Sequence, residues 1–325
     1  MQYRALGRTG FEVSTISFGA WAIGGTWGNV DDAESLRALH KALDLGVNFF
    51  DTADVYGGGR SEALLGKLKR ERKEPFLIAT KAGRGGPKHD ASVYNRENLT
   101  AWVERSLGHL GVETIDLLQL HCPPTDVYYR PEVFGVLDEL VKAGKLRFYG
   151  VSVERVEEAL KAIEYPGVQS VQIIFNLFRQ HIAEEVFAKA AAKGVAIIVR
   201  VPLASGLLSG KFTATTTFAE KDHRHYNADG AAFNAGETFS GIEFSRGVAV
   251  ADQMKPLLPG NMATAAIRWI LDHPEVTTVI PGASKLPQVT NNNAASDMAP
   301  LNKDTHHALR VLYNKEVLPF IRGHY

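Results

Sequence analysis

Four residues between positions 51 and 121 offer an acid, a phenol, an amine and an imidazole: Asp51, Tyr56, Lys81 and His121. Each lies at or just past the end of a short apolar run, at 47–50, 76–80 and 115–120. Together they suit the reduction of a carbonyl. A carbonyl that accepts a hydride becomes an alkoxide and needs a proton at its oxygen. A tyrosine titrates near ~10 unaided, so Tyr56 needs help to act as the acid. An ammonium within a few ångströms favours the phenolate, which makes Lys81 the expected partner. Asp51 is expected to hold Lys81 charged and in place, and His121 to donate to or orient the carbonyl oxygen. No side chain supplies a hydride, so a cofactor must.

The elements that would position these groups recur as a unit. After a Gly-rich hairpin over 1–14, strands are expected at 15–18, 48–51, 76–80, 115–120, 147–151, 170–174, 195–200 and 276–280. Helices are expected between them, at 31–46, 60–70, 96–109, 131–143, 154–163, 182–193, 262–272 and 285–295, with one more over 301–318. Strands such as Ala196-Ile197-Ile198-Val199 are apolar without alternation, as a parallel sheet covered by helices requires. Eight such units predict an α/β fold, a (β/α)8 TIM barrel. An open doubly wound sheet would usually show G-x-G-x-x-G after its first strand, and this chain does not. The stretch from about 203 to 259 follows the seventh strand, where a long βα loop of a barrel forms a lid. The chain is expected to be a single domain over 1–325.

Composition narrows the partners. Thirty-six basic residues balance thirty-six acidic ones, and no basic block occurs, which points away from nucleic acid and anionic membranes. Cys122 is the only cysteine, so an intramolecular disulfide is impossible. It follows His121 directly and is expected to point away from it, buried and inert. The N-terminus lacks the apolar segment of a signal peptide, and no apolar run reaches about 18 residues. The expected setting is the cytoplasm, as a monomer or small homo-oligomer. The pairs around His223 and His306 lack supporting ligands, so no metal site is expected.

The sequence resembles the aldo-keto reductases nearly end to end. The resemblance rests on Leu6-Gly7-Arg8-Thr9-Gly10, on Phe50 to Gly57, on Thr80-Lys81, and on Leu118 to His121. It continues through Gly150-Val151-Ser152, Gln172 with Asn176-Leu177, Pro202 to Lys211, and Ile280 to Ser284 with Gln288 and Asn292. The pattern is closest to the bacterial and potassium-channel β-subunit-like branches. It implies a barrel closed below by the N-terminal hairpin and carrying two extra helices. It also implies a catalytic tetrad of Asp51, Tyr56, Lys81 and His121.

The resemblance further implies NADPH, extended across the barrel mouth. Ala20, Trp21 and Asp51 would touch the cofactor, with Ser152 and Gln172 holding the nicotinamide carboxamide. The family usually places an aromatic residue where this chain has Arg200. A guanidinium plane can stack there, although its charge opposes that of an oxidised ring. Pro202, Leu203, Ser205, Gly206, Leu207, Ser209 and Lys211 would follow the pyrophosphate, and Arg224 would clamp the adenosine half from the lid. Gly282, Ser284 and Lys285 would meet the ribose 2′-phosphate, with Gln288, Asn291 and Asn292 on the adenine and ribose. NADP is expected ahead of NAD. Trp21, Trp27 and Tyr128 are the aromatic candidates for the substrate pocket. The expected reaction is reversible reduction of an aldehyde or ketone to an alcohol, with Tyr56 as general acid. Two other readings remain: a nucleotide-binding regulatory or scaffold subunit with slow turnover, and an aldolase or lyase using Lys81 as a Schiff-base amine. Asp51 argues against the last by keeping that amine charged.

Overall fold

A computed structural model of the chain describes residues 1–25, 31–85 and 90–323. Two short strands, β1 (Tyr3–Ala5) and β2 (Glu12–Ser14), pair as an antiparallel hairpin. Gly7 makes its turn possible. It has φ +57°, and a Cβ there would stand 2.6 Å from the Gln169 carbonyl oxygen.

Eight strands then form one curled parallel sheet: β3 (Phe18–Gly19), β4 (Phe49–Asp51), β5 (Leu77–Ala82), β6 (Ile115–His121), β7 (Leu146–Ser152), β8 (Val168–Ile174), β9 (Ala196–Arg200) and β10 (Val276–Val279). Their spatial order follows the chain without a jump. The two ends of this order also meet through backbone bonds. Ser17 N–H donates to Val279 O at 2.8 Å, Val279 N–H to Thr15 O at 2.9 Å, and Gly19 N–H to Pro281 O at 3.2 Å. The first strand is therefore shorter than the expected 15–18, because residues 15–17 turn to bond across to β10.

Helices cover the outside: α1 (Asp32–Asp44), α2 (Arg60–Glu71), α3 (Arg96–Leu110), α4 (Pro131–Lys142), α5 (Val156–Ala162) and α6 (Ala188–Ala192). The segment expected as one helix over 182–193 is split, since Ala183–Phe187 is a wider π turn leading into α6. Beyond β9 come α7 (His223–Tyr226), α8 (Phe244–Met254), α9 (Met262–Leu271), α10 (Leu286–Ala294) and α11 (Lys303–Leu312). The long connection is thus not structureless. Its helix α8 is capped by Glu243, whose carboxylate accepts from the Ser245 and Arg246 N–H groups at 3.0 Å. Phe212, Phe218, Phe239 and Phe244 form a small aromatic core within it, with ring centroids 5.0–5.9 Å apart. No helix among the described residues is long and apolar enough to cross a membrane.

Inside the sheet a separate apolar cluster contains Phe49, Ala79, Leu117, Ala196, Ile198 and Ile280, with Leu6 and Val13 from the hairpin plugging it from below. This inner layer decides where the chemistry lies.

Candidate active site

Side chains alternate along a strand. Two residues beyond an inward-facing apolar residue, the chain therefore faces inward again. Phe49 leads to Asp51, Ala79 to Lys81, Leu117 through Gln119 to His121, and Ile198 to Arg200. Register adds the lateral order: His121 stands beside Ser152, and Ser152 beside Gln172. The polar residues thus form a layer above the apolar plug, at the C-terminal rim of the sheet. Tyr56 reaches the same layer from the loop after β4. Gly57, at φ +64°, lets that loop press on the turn Ala22–Gly24; a Cβ there would stand 2.1 Å from the Gly24 carbonyl oxygen.

At the centre is a buried ion pair. The Lys81 ammonium donates to the Asp51 carboxylate, to Thr52 O at 2.8 Å, and to the Tyr56 hydroxyl at 3.4 Å. The second Asp51 oxygen accepts from the Gln172 amide at 2.7 Å and the Gln119 amide at 3.1 Å. Asp51 therefore has donors on both oxygens, as a buried carboxylate requires. Burial works against the Lys81 charge, but Asp51 and Tyr56 outweigh it and raise its pKa above the ordinary value. The Tyr56 phenol departs from the sequence expectation. Burial pushes its pKa up, and the opposing pull of Lys81 does not offset this, with Asp51 and Glu237 adding to the rise. The phenol is thus held protonated rather than primed to ionise. The His121 ring meets the Tyr56 ring edge-on at 5.8 Å. Trp21 stacks on the other side of Tyr56 at 6.0 Å, and is itself covered by His223 from α7 at 4.7 Å.

Asp51, Tyr56, His121 and Gln172 open onto a cavity of about 620 Å³, within the roughly 300–1,000 Å³ typical of small-molecule sites. Beside them a second charged group is built from elements that the sequence keeps far apart. Glu237 accepts from Arg84 at 3.1 Å and lies 3.3 Å from Arg200; Arg84 also pairs with Glu154 at 3.5 Å. Burial opposes the Glu237 charge, but Arg84 and Arg200 prevail and hold its pKa at about 2. Burial and the Glu237 charge push Glu154 up to about 7.

Cys122 belongs to this group, which corrects the expectation that it points away. Its backbone is left-handed, with φ +47°, which breaks strand alternation. The thiol comes within 3.6 Å of both the Ser152 hydroxyl and Arg200. It remains buried, and burial raises its pKa to about 11, so it is a poor nucleophile at neutral pH. The Cys122, Glu154 and Glu237 ligand atoms lie within 4.8 Å of one another, but two guanidinium groups already engage the carboxylates.

The family model described as "Aldo/keto reductase family" matches residues 15–314. The chain belongs to the aldo-keto reductases. It is 32% identical over 293 residues to the aldo-keto reductase YhdN of Bacillus subtilis, covering 88% of this chain and 86% of that one. It is 30% identical over 316 residues to a probable voltage-gated potassium channel subunit beta of Arabidopsis thaliana, with 93% of each covered. Among solved structures it is similar to glycerol dehydrogenase AKR11B4 of Gluconobacter oxydans, at TM-score 0.78 and 30% identity over 95% of this chain and 94% of that one. This aldo-keto reductase is therefore an oxidoreductase with a barrel-like curled sheet.

Most of the residues expected at the cofactor line the cavity of this aldo-keto reductase: Trp21, Arg200, Pro202, Leu203, Ser205, Gly206, Ser209, Lys211, Arg224, Gly282, Ser284 and Gln288. Their loop carries strained backbone. Val201, Ala204 and Ser205 all have positive φ, and the Ser205 hydroxyl ties the strained turn to the lid by donating to Glu237 O at 3.2 Å. Arg224 is gripped by Asp222 and lies 4.5 Å over the Phe218 ring. Ala20, Ser152 and Leu207 are buried and do not line the cavity. Lys285 and Asn291 are exposed to its side, and the buried Asn292 amide donates to Gly282 O at 3.5 Å. Gln288 folds back to accept from the Ser284 and Lys285 N–H groups at 2.9 and 3.0 Å, so those donors are already engaged.

For the substrate pocket, Trp21 lines the cavity and Trp27 lies outside the described residues. Tyr128 does not line it: the side chain is fully buried and its hydroxyl donates to Ser152 O at 3.4 Å. Val55, Arg84, Tyr226, Phe233 and Glu237 line it instead. The sequence offers no signal for Phe233 or Glu237, which arrive from a Gly- and Ala-rich stretch of the lid. Gln119, by contrast, was legible as the inward-facing residue two before His121.

Proposed function

We propose that this chain is an NADPH-dependent carbonyl reductase that interconverts an aldehyde or ketone and the corresponding alcohol. The observation that carries the reading is the buried Asp51–Lys81 pair with the Tyr56 hydroxyl 3.4 Å from the Lys81 ammonium, at the wall of a cavity that His121 also lines. A substrate carbonyl in this cavity accepts a hydrogen bond from Tyr56, and His121 orients its oxygen. As negative charge builds on that oxygen, the raised pKa of Tyr56 keeps a proton available for transfer, and Lys81 stabilises the phenolate left behind. In the reverse direction that phenolate takes the alcohol proton.

The cavity fits a dinucleotide by its donor set. It runs from Tyr56 and Gln172, along the 202–211 loop with Lys211, to Ser284. At Gly282 a Cβ would meet nothing nearer than 4.0 Å, which leaves open space at that end. A reduced nicotinamide supplies the hydride when bound. The Lys211 ammonium would face the pyrophosphate, and the Ser284 and Lys285 side chains the 2′-phosphate, which favours NADP over NAD. The chain acts as one domain, a closed (β/α)8 barrel; the backbone bonds between residues 15–19 and 279–281 support the closure.

The test follows NADPH absorbance with an aldehyde panel for the wild type and Tyr56→Phe. General acid catalysis contributes about 10²- to 10⁴-fold, so the variant should lose at least a hundredfold in kcat. Equal rates would sink the proposed role. The similarity to a plant channel subunit favours a second reading, a nucleotide-holding subunit. Exchange of bound nucleotide over hours rather than seconds would favour that one.

A further inference from the structure

Oxidised and reduced nicotinamide differ by one positive charge on the ring. A fixed protein charge near the ring therefore binds the two forms unequally. Arg200 is such a charge. It ends β9, lines the same cavity as Tyr56 and Gln172, and is buried. Left alone, it would disfavour the oxidised form.

Arg200 is not left alone. The Glu237 carboxylate lies 3.3 Å from it and is itself only 4% exposed. Glu237 comes from the lid, at the end of the turn Ala235–Glu237. The lid's own bonds shape this turn, and Arg179 and Arg84 hold it from outside. The Ser205 hydroxyl bonds Glu237 O, and the Asn234 side chain accepts from Gly236 N–H at 2.7 Å. Gly236 packs so closely on buried Arg179 that a Cβ would stand 2.0 Å from its guanidinium. Arg84 holds the same carboxylate from the loop after β5. We propose that Glu237 is a positioning residue that sets the relative affinity for oxidised and reduced nicotinamide, by neutralising Arg200 from the closed lid. This rests on the reading of the cavity as the nicotinamide site. Arg84 and Arg200 hold Glu237 charged. Burial and the Glu237 charge raise the pKa of Glu154, so Glu154 would gain charge if Glu237 were neutralised unless the pH already keeps it ionised.

The experiment measures Kd for NADP⁺ and for NADPH by fluorescence titration of the full chain at pH 8.5, where Glu154 is already ionised in the wild type and has no charge to gain when Glu237 is removed. One charge acting across roughly 6–10 Å at an effective dielectric of about 20 shifts the ratio by about ten- to a hundredfold. Glu237→Gln should weaken NADP⁺ relative to NADPH by that factor. Arg200→Gln should shift the ratio in the opposite sense, and the double variant should return it to within about threefold of wild type. An unchanged ratio in Glu237→Gln overturns the proposal, even if both affinities fall together, because a merely structural role lowers both. Should Glu237→Gln fail to fold, Glu237→Asp replaces it: a carboxylate drawn back from Arg200 should still weaken NADP⁺ relative to NADPH by severalfold, and an unchanged ratio overturns the proposal. If the wild type binds neither nucleotide, the cavity reading itself falls and takes this proposal with it. An unchanged ratio with intact binding removes only the proposal.

Discussion

Replacing Lys81 by Met removes the ammonium but keeps most of the side-chain volume. Lys81 is 1% exposed and Asp51 3%, so the substitution leaves a carboxylate buried without its counter-ion. Breaking such a pair costs about 3–5 kcal/mol. Gln119 and Gln172 still donate to Asp51, which places the expected loss near the lower end, about 3 kcal/mol. Adding Asp51→Asn removes the stranded charge and should recover most of that loss, leaving the double variant within about 1–2 kcal/mol of wild type. Urea unfolding at fixed pH measures this, with the m-value checked for constancy. Activity should not follow stability. Both variants lose the charge that stabilises the Tyr56 phenolate, so NADPH-linked reduction should stay at least a hundredfold down in each. A single-variant cost under about 1 kcal/mol refutes the reasoning, as does a double variant less stable than Lys81→Met.

Two buried groups should tilt the pH dependence of stability in opposite directions. Burial raises the pKa of Asp54 to about 6; Arg105 binds one of its oxygens at 2.8 Å and the other has no hydrogen-bond partner among the described residues. A raised acid favours the protonated fold, so its contribution is full below pH ~4 and is lost as pH rises through 6, roughly 3 kcal/mol in all. Burial lowers the pKa of His223 to about 4, so its contribution is present above pH ~6.5 and lost on acidification, again roughly 3 kcal/mol. Asp54→Asn should therefore lose stability from pH 7 to pH 4 more steeply than wild type, and His223→Phe less steeply, by chemical denaturation; parallel profiles refute both assignments. At the other end of the cavity, Lys285→Ala should weaken NADPH by about five- to tenfold, the scale of an exposed charge-assisted contact. NADH should be unaffected, and equal losses for both would remove Lys285 from the 2′-phosphate.

The sequence by itself determined the repeat and the rim. Eight apolar runs, each followed by a helical period, lead to a parallel sheet because runs without polar alternation need cover on both faces. Strand alternation then fixes which residues look inward, so Asp51, Lys81 and His121 are readable at their strand ends, and Gln119 could have been. Helix α8 escaped because Gly247 interrupts its apolar period. The rest depends on distance along the chain. Glu237 meets Arg84 across 153 residues, and no local periodicity encodes such a pairing. Strained positive-φ residues such as Cys122 and Val201 override alternation and re-aim side chains. The Tyr56 pKa is hidden from the sequence for a related reason. A sequence names the cation beside a phenol, but only the packed structure shows how little water the phenol retains, and here burial outweighs Lys81.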